Sequence, residues 1–575
     1  MSYKSLEKCI SDLDFKGELL KIKKEVDPNL EMASIHLDEF AKDGKALFFE
    51  NIKGSKYKAV SNLFGTLERS RFMFRDSLQI VKDLIDIKTN PVSVLKNPLR
   101  YLFAALNGIY SIPLKVRFPR SFKEIQIEDI PQLKCWKEDG GAFITLPQVY
   151  SEDVENPGIM NSNLGMYRIQ LSGNDYIPSK EIGLHYQIHR GIGVHQKKAN
   201  EKGEPLKVSI FVGGPPSHTF AAVMPLPEGM SELSFAGVLG KRRFRYAKKE
   251  GYTISADADF VICGELHQNE LKPEGPFGDH LGYYSLRHDF PVMRVKKVYA
   301  KENAIFPFTV VGRPPQEDSQ FGALIHEISG KAIEKEIPGL KAVNAVDEAG
   351  VHPLLLAVGS ERYTPYNPTK KPQELLTIAN HILGTGQMSL AKYIFICDEA
   401  NALNVNNEME FFTHFLERVN WERDLHFQTK TTIDTLDYSG DGLNEGSKVV
   451  IAAAGEIKRT LSENLQNINL SPGFSNLQLI SKGNLVIEGK GEIKELISSL
   501  EKQNLDEIAL ITLVDDATFT ALDFSNWLWV AFTRSNPAND IYGLNTEHKN
   551  KHFSCSLPII DARIKKHHAP VLERS

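Results

Sequence analysis

The sequence predicts a multidomain protein with α+β and α/β parts, and three observations lead to that fold class. The chain has 575 residues, which is more than one hydrophobic core usually serves, so about two to four domains are expected. Strand-like segments and Gly/Pro-rich turns dominate the middle third, which indicates mainly antiparallel β structure. After Pro338 helices and strands alternate, which predicts a layered α/β domain. We place the domains at 1–120, 121–320, 321–455 and 456–575.

Two helices are predicted near the N-terminus. The first starts at Asp27-Pro28, with Asp27 as the cap and Pro28 in the first turn. An apolar stripe beginning at Met32 continues until the helix ends near Gly44. The second helix covers the amphipathic stretch 76–87.

The later elements follow from the same periodicities. The predicted strands of the middle third are 206–212, 260–266 and 292–299. Beyond Pro338 the predicted elements are a helix that stops at Gly384, a strand at 393–397, a helix at 408–419 and a strand at 449–454. Further strands are predicted at 485–488 and 508–513, followed by a loose basic tail from residue 563.

Composition disfavours several classes of protein. The 68 Lys+Arg and 73 Asp+Glu leave a formal charge of −5, which argues against a dedicated nucleic-acid binder. Five cysteines lie far apart without a CxxC pair, so neither structural zinc held by thiolates nor a disulfide framework is expected. No signal-peptide pattern occurs, and no apolar run approaches the roughly 18 residues of a membrane span. We expect a soluble cytoplasmic protein.

Two further patterns have ordinary explanations. The segment 483–491 (GNLVIEGKG) resembles a P-loop, but Gly491 stands where Ser or Thr must bind magnesium. The segment 241–249 (KRRFRYAKK) interleaves cations with aromatic rings, which nucleic-acid binding also uses. In a chain of net negative charge, a solvated β-ribbon is the favoured interpretation. The sequence contains no GxSxG elbow, so a serine hydrolase has little support.

Chemistry-bearing residues concentrate between 161 and 284. In NSNLGMYRIQL, Asn163 and Arg168 flank Gly165, and strand alternation places them on opposite faces unless the backbone turns at the glycine. In GLHYQIHRG, His185 and His189 are four residues apart, which on a helix makes a metal pair. Taken alone, a surface arginine and two structural histidines explain these patterns equally simply.

The same stretch ends in carboxylates. Glu232 follows a Pro/Gly turn, and PEGPFGDHLGYY places Glu274 and Asp279 five residues apart. The glycines and proline between them exclude a helix, so both carboxylates are expected on one tight loop. Such a pair suits acid/base chemistry when one group is desolvated and a cation keeps the other ionised. A surface turn is the alternative.

The motifs NLGMYR, QIHRG, MSELSFAG and EGPFGDHLGYY, in this order, resemble those of the UbiD-type decarboxylases. That family uses prenylated FMN made by a partner flavin prenyltransferase. GELLKI, VDPNLE, LFFEN, NLFGT, GRPP and AKYIFICDE extend the similarity over about residues 1–450. The remainder, with NWLWVAFTRSNPANDIYG, is similar to the longer family members, a branch often associated with menaquinone biosynthesis.

The resemblance implies an architecture. It consists of a small N-terminal α/β domain, a central split β-barrel that binds flavin and metal, and a C-terminal α/β domain through which family members form dimers or hexamers. A homo-oligomer is therefore expected.

The resemblance also implies a site. The catalytic residues correspond to Arg168, Glu274 and Asp279, and the metal ligands to Asn163, His189 and Glu232. Amide, imidazole and carboxylate donors suit manganese far better than copper, so the implied ion is Mn²⁺, alone or together with K⁺. The implied cofactor-binding residues are Asn163, Met166, Tyr167, Arg168, His185, Tyr186, Gln187, His189, Arg190, Gly191 and Lys392. His185 stands where some members carry Arg or Gln-type residues.

The implied activity is reversible, non-oxidative decarboxylation of an aromatic acid. The first substrates to consider are quinone precursors, namely a 4-hydroxy-3-polyprenylbenzoate or a menaquinone-pathway naphthoate. A lipid-tailed substrate implies peripheral contact with a membrane. The alternatives are a decarboxylase of a small hydroxybenzoic or cinnamic-type acid and a flavin-binding protein without turnover.

Overall fold

The computed structural model divides the chain into two compact units. It describes residues 2–89, 98–186, 191–226, 230–364, 366–367, 369–398, 403–465 and 467–574. The first unit comprises 1–279, 283–332 and 571–575, and the second comprises 280–282 and 333–570.

The first unit contains most of the strands predicted as antiparallel. Its strands are β1 (Leu19–Val26), β2 (Ala46–Ile52), β3 (Lys58–Ser61), β4 (Leu114–Lys115), β5 (Phe122–Glu124), β6 (Phe143–Ile144), β7 (Pro147–Glu152), β8 (Ser162–Gly165), β9 (Ile169–Gln170), β10 (Glu181–Leu184), β11 (Leu206–Val212), β12 (Arg245–Lys249), β13 (Tyr252–Ser255), β14 (Phe260–Glu274), β15 (Phe277–Gly278), β16 (Tyr284–Ser285), β17 (His288–Lys301) and β18 (Ile305–Phe308). Its helices are α1 (Leu6–Lys16), α2 (Glu31–Phe40), α3 (Leu67–Met73), α4 (Leu78–Thr89), α5 (Pro98–Asn107), α6 (Gly191–Lys202), α7 (Pro216–Val223), α8 (Glu232–Leu239) and α9 (Glu317–Glu336), whose end enters the second unit.

A nine-stranded sheet forms the centre of the first unit. Its order is β6-β9-β10-β17-β14-β11-β7-β8, with β5 paired to β17. Every pairing in it is antiparallel, which confirms the prediction for the middle third. Within the described residues the pairing is an open path from β6 to β8, so this antiparallel sheet has no closing pair there.

Both faces of this sheet are covered. In β11, Val208, Ile210 and Val212 point into one hydrophobic cluster, whereas Phe211 points into another. Successive strand residues face opposite sides of a sheet, so a continuous apolar run identifies a strand buried on both faces. The N-terminal part adds a mixed sheet of order β1-β2-β3-β18, and β12 forms a ribbon between β13 and β4.

The second unit consists of two sheets with flanking helices. Its strands are β19 (Leu340–Ala345), β20 (Leu354–Gly359), β21 (Tyr393–Asp398), β22 (Leu425–Thr431), β23 (Gly446–Ala453), β24 (Phe474–Ser481), β25 (Asn484–Gly489), β26 (Leu510–Val514), β27 (Ile541–Leu544), β28 (Glu547–Lys549), β29 (His552–Ser554) and β30 (Leu557–Asp561). Its helices are α10 (Glu374–Leu383), α11 (Glu408–Arg418), α12 (Ile493–Leu500), α13 (Ala517–Ala521), α14 (Phe524–Thr533) and α15 (Pro537–Asp540).

The two five-stranded sheets share one pattern. Their orders are β19-β20-β21-β23-β22 and β24-β25-β26-β30-β27. In each, three central strands are parallel and both edge strands are antiparallel. The predicted α/β character of the C-terminal part is confirmed. None of the helices in the described ranges combines the length and hydropathy that crossing a membrane requires.

Some predicted boundaries are wrong. The helix expected at Asp27-Pro28 begins at Glu31 and ends at Phe40, because the Asp27 carboxylate accepts the N–H of Asn29 (2.8 Å) in a local turn instead of capping a helix. The helix expected at 76–87 is Leu78–Thr89.

The strands predicted at 260–266 and 292–299 are longer, Phe260–Glu274 and His288–Lys301, because they pair with each other beyond the apolar run. The tail is not loose either. Lys565 forms an ion pair with Asp540 (3.2 Å), and Ala569 is buried.

Candidate active site

Arg168 lies where the chain leaves one strand for the next. Strand β8 ends at Gly165 and β9 begins at Ile169, so strand alternation does not apply between Asn163 and Arg168. A Cβ at Gly165 would lie 2.3 Å from the Tyr167 ring, so only glycine permits this close approach. The turn expected at this glycine is therefore present.

The Arg168 guanidinium joins both carboxylates of the predicted pair. Its Nε donates to Glu274 Oε1 (2.9 Å) and its Nη2 to Glu274 Oε2 (2.7 Å), which is a two-point contact. On the other edge, Nη1 contacts Asp279 Oδ2. Nη2 also donates to Ser285 Oγ (2.9 Å). The three residues predicted as catalytic thus form one cluster, and Arg168 is its centre.

Glu274 is held ionised although it is completely buried. Burial alone would raise its pKa, but the charge of Arg168 and hydrogen bonds from His185 and Arg168 lower the pKa to about 2. His185 Nδ1 lies 2.8 Å from Arg168 Nη2 and 3.1 Å from Glu274 Oε2. Burial and the nearby guanidinium lower the pKa of His185, which favours a neutral imidazole, and with the proton on Nδ1 this ring donates to Glu274.

Aromatic rings enclose the cluster. The Phe277 ring lies 4.8 Å below the Arg168 guanidinium and packs against Phe143 at 4.6 Å. The His185 ring stacks on Phe290 with centroids 4.0 Å apart. These apolar walls strengthen the electrostatic interactions between the guanidinium and the carboxylates.

The loop after β14 is positioned by side chains from distant segments. Gly275 N donates to Gln170 Oε1 (2.9 Å), and Asn174 Nδ2 donates to the Gly275 carbonyl (2.8 Å). Gly278 N donates to Asp139 Oδ1 (2.8 Å). Burial raises the pKa of Asp139 to about 6 despite these backbone hydrogen bonds. The loop is therefore fixed at both ends, and the alternative of an ordinary surface turn is excluded.

Two of the three predicted metal ligands come together. Asn163 lies in β8, and Glu232 is the first residue of α8. The Glu232 carboxylate accepts the N–H of Leu164 (3.4 Å), next to Asn163. A Cβ at Gly191 would lie 2.1 Å from Asn163 Oδ1, so the backbone at Gly191 also lies against this pair. We call Asn163, Gly191 and Glu232 the Asn163–Glu232 cradle. His189 lies outside the described residues.

The donors in this cradle fit a hard divalent ion. Burial raises the pKa of Glu232, and in the part of the chain that the structure describes no basic side chain forms an ion pair with it. A buried carboxylate without a cation is costly, and amide and carboxylate oxygens are the donors that manganese and magnesium prefer.

The predicted cofactor-binding residues have mixed surroundings. Met166 packs against one hydrophobic cluster, and its N–H donates to the Ala222 carbonyl (2.9 Å). Tyr167 and Tyr186 lie with ring centroids 6.1 Å apart, and the Tyr186 hydroxyl donates to Gln196. Gln187 and Arg190, like His189, lie outside the described ranges.

Lys392 belongs to the second unit. It is buried, and its Nζ contacts Asp437 Oδ2 (2.7 Å) and donates to Ser439 Oγ (2.7 Å). A cofactor contact at Lys392 stays a prediction.

Sequence reasoning missed the residues that hold the cluster in place. They are Asp139, Gln170, Asn174, Ser285 and Phe290. No local pattern reveals these contacts, because each of them joins two segments that are more than 100 residues apart in the sequence. Chemically, the cluster offers a cation that can bind an anion, a carboxylate that is held ionised near neutral pH and a second carboxylate at the opposite edge.

The chain is similar to known proteins over most of its length. Models of the 3-octaprenyl-4-hydroxybenzoate carboxy-lyase (UbiD) family match residues 10–88 (N-terminal domain), 112–314 (Rift-related domain) and 319–453 (C-terminal domain). A protein of Chlamydia pneumoniae, named as one of the subunits of 4-hydroxybenzoate decarboxylase, is 36% identical over 572 residues, 97% of this chain and 94% of that protein.

Solved structures share the fold. The vanillic acid decarboxylase of Sedimentibacter hydroxybenzoicus in closed form superposes with a TM-score of 0.66 at 22% identity, covering 82% of this chain and 96% of that one. The UbiD-class enzyme HmfF from Pelotomaculum thermopropionicum, in complex with FMN, has a TM-score of 0.60 at 20% identity, covering 81% and 97%. Family models over all three domains and a relative this similar along nearly the whole chain show that the protein is a carboxy-lyase of the UbiD family.

Proposed function

We propose that the chain is a reversible, non-oxidative decarboxylase that uses prenylated FMN and a divalent metal ion to release CO₂ from an aromatic acid. The observation that carries the proposal is the Arg168 cluster. One guanidinium bridges a buried, ionised Glu274 and the carboxylate of Asp279 inside an aromatic enclosure. A protein that only binds flavin does not need this arrangement.

The cofactor and the ion have separate tasks. When bound, prenylated FMN supplies the electron sink that cleavage of a C–C bond at an unsaturated carbon requires. Asn163, Glu232 and His189 would hold the ion, which we take to be Mn²⁺, and the ion would clamp the cofactor phosphate. Two observations support this assignment: the close approach of Gly191 to Asn163, and a buried Glu232 that forms no ion pair with any basic side chain among the described residues.

Arg168 binds and orients the substrate carboxylate. Its Nε/Nη2 edge is occupied by Glu274, so a substrate carboxylate reaches the guanidinium at the Nη1 edge, where Asp279 now lies. The incoming anion therefore competes with Asp279 for the cation.

That competition prepares Asp279 for proton transfer. A carboxyl group separated from its cation, beside a second negative charge and in apolar surroundings, favours the protonated form. Asp279 then delivers the proton that replaces CO₂ on the substrate carbon. Glu274 stays ionised throughout because it keeps two hydrogen bonds to Arg168.

The substrate we favour is a quinone precursor, with 4-hydroxy-3-polyprenylbenzoate first and a menaquinone-pathway naphthoate second. The name of the chlamydial relative and the vanillic acid decarboxylase fold are consistent with a hydroxylated benzoate. They equally support the alternative of a small hydroxybenzoic acid. The chlamydial relative aligns with 97% of the chain, including most of 456–575, which supports membership of the longer branch.

The decisive experiment is co-expression with a flavin prenyltransferase, followed by incubation with hydroxybenzoic, polyprenyl-hydroxybenzoic, naphthoic and cinnamic acids. We expect CO₂ release and a decarboxylated product, by mass spectrometry, from at least one acid. A coloured protein that binds prenylated FMN but turns over no acid would favour the flavin-binding alternative.

We also propose peripheral contact with a membrane, through α5. Leu99, Leu102, Phe103 and Leu106 lie on one face of this helix at helical spacing, and each is more than half exposed. We call these four residues the α5 apolar surface. An exposed apolar face of this kind is typical of helices that lie in a membrane interface.

Basic residues occur in the strand that pairs with the segment after α5. That segment contains β4, which pairs with the basic strand β12, and Arg243 donates to the carbonyls of Ile112 (2.6 Å) and Pro113 (3.1 Å). Residues 245–249 thus belong to the β-ribbon that the sequence favoured. An anionic membrane surface attracts cations and accepts apolar side chains.

The expected homo-oligomer, a dimer or hexamer formed through the C-terminal domain, belongs to the same proposal.

A further inference from the structure

Two histidines and an aspartate converge in the second unit, and the proposed mechanism assigns no role to any of them. They are His280, His352 and Asp434, and each offers a ligand atom within 4.8 Å of the others. His352 lies in the turn before β20, and Asp434 lies in the loop between β22 and β23. Three distant segments of the chain therefore meet at one point.

Asp434 is the buried member of the set, and its orientation is fixed. Its Oδ1 accepts the N–H of Leu436 (2.8 Å), while its Oδ2 contacts His352 Nδ1. The imidazoles are only partly buried, with the His352 side chain 18% exposed. A buried carboxylate that is oriented by a backbone hydrogen bond, beside imidazoles that solvent reaches, is typical of metal sites.

The segment that carries His280 is anchored in the same unit. The carbonyl of the next residue, Leu281, accepts the indole N–H of buried Trp529 (2.8 Å). Lys392 lies nearby, since its backbone N–H donates to the His352 carbonyl (3.1 Å). Its ammonium group pairs with Asp437 (Nζ to Oδ2, 2.7 Å), so it does not compete with a metal ion for Asp434.

We propose that His280, His352 and Asp434 form a second metal site that takes a divalent ion of the zinc class. Three protein ligands leave a position for water, which is the pattern of open zinc sites, and two imidazoles with one carboxylate also suit Fe²⁺. Ligand atoms of a tetrahedral zinc ion lie about 3.4 Å apart, so the present spacing needs only a small contraction. An ion pair between His352 and Asp434 alone would not require the second imidazole.

This site differs in chemistry from the Asn163–Glu232 cradle. Its two imidazoles prefer a borderline ion, whereas the cradle offers oxygen ligands that prefer manganese. The inference does not rest on the proposed decarboxylase activity, because the test measures binding without turnover.

The test uses the full chain, stripped with a chelator and equilibrated with Zn²⁺ or Fe²⁺, with bound metal measured by elemental analysis. Glu232→Gln serves as the background because it weakens the other site. We expect one Zn²⁺ per chain in Glu232→Gln. Adding His352→Ala or Asp434→Asn should weaken binding at least about 100-fold, since even loss of a residue behind the ligands costs 10–100-fold. If Fe²⁺ displaces Zn²⁺ at equal concentration, iron is the preferred ion of the class.

His352→Cys tests the same ligand position if the His352→Ala variant does not fold. A thiolate is a zinc and cobalt ligand, so this variant should retain Zn²⁺ and add a sulfur-to-metal charge-transfer band when loaded with Co²⁺. The five native cysteines are buried and serve as the baseline in the parent protein. Zn²⁺ binding that is equal with and without His352, or no Zn²⁺ bound in Glu232→Gln, would overturn the proposal and leave a simple His–Asp ion pair.

Discussion

At the scale of single residues, the proposed chemistry depends on how Arg168 divides its hydrogen bonds. Two of its nitrogens hold Glu274, and a third contacts Asp279. This division assigns different roles to two carboxylates only five residues apart in sequence. The more buried one stays charged, and the other can exchange with an incoming anion.

The role of Asp279 is tested by Asp279→Asn. The amide keeps the size of the side chain but cannot deliver the proton, so we expect flavin binding to be retained and turnover to fall at least about 100-fold. Flavin absorbance and product formation measure the two effects separately. Wild-type turnover in this variant would remove Asp279 from the mechanism.

Glu274 should make stability depend on pH. Its pKa is lowered to about 2 in the folded chain, so its contribution is fully present above its ordinary pKa of about 4.5 and is lost as the pH falls towards 2. The size of the shift corresponds to about 3 kcal/mol. We expect urea unfolding at pH 6.5 to show Glu274→Gln less stable than the wild type, and the difference to narrow by pH 3.5. A gap that does not change with pH would contradict this account.

At the scale of elements, the segment from the end of β14 to β16 brings the two carboxylates to Arg168. Its shape depends on close packing: a Cβ at Gly278 would lie 2.0 Å from the Trp136 ring. Trp136 is itself fixed, because its indole N–H donates to the Val311 carbonyl (2.8 Å).

Gly278→Ala therefore tests the loop. The added methyl group must displace Trp136 or the loop, and overpacking of this kind costs roughly 1–3 kcal/mol. We expect a lower unfolding midpoint together with a loss of turnover. Gly108→Ala is the matched control, since a Cβ there meets nothing within 4 Å. Equal behaviour of the two variants would show that the close approach is unimportant.

The α5 apolar surface is tested by vesicle co-sedimentation. We expect binding to vesicles that contain anionic lipid. The double variant Leu102→Glu/Phe103→Glu should reduce this binding at least about tenfold, because two apolar side chains that the membrane would bury are replaced by charged ones. Phe15→Glu is the control, since Phe15 is 93% exposed on α1 and lies outside this surface. Unchanged co-sedimentation of the double variant would assign the surface to another partner.

At the scale of the whole molecule, each unit has its own sheets and hydrophobic clusters. The Arg168 cluster and the Asn163–Glu232 cradle both belong to the first unit. Lys392, an implied cofactor-binding residue, belongs to the second unit. The division of the chain at 120, 320 and 455 stays a prediction.

Calorimetry can use this separation. We expect two unfolding transitions, and FMN with Mn²⁺ at about 100 times the dissociation constant should stabilise the first unit by about 2.7 kcal/mol, raising its midpoint by roughly 3–5 °C. Lys392→Ala is the informative variant. If Lys392 contacts the cofactor, the ligands should raise the unfolding midpoint less in the variant than in the wild type, whereas identical shifts in both proteins would remove Lys392 from the set of cofactor-binding residues.

Local patterns in the sequence determined much of this protein. A continuous apolar run identified β11, alternation of helices and strands after Pro338 identified the α/β sheets, and the Gly/Pro residues between Glu274 and Asp279 identified a loop. They do so because neighbouring residues alone decide which face of a strand is buried and where a helix cannot form.

Only the tertiary structure decided which distant residues meet. Arg168 reaches Glu274 across 106 residues and Ser285 across 117, and His280, His352 and Asp434 converge from three segments. The exposed face of α5 was likewise invisible in the sequence, where it is indistinguishable from a buried amphipathic stripe. The physical reason is that strand pairing, register and burial are properties of the whole packed chain, and no local window of residues contains them.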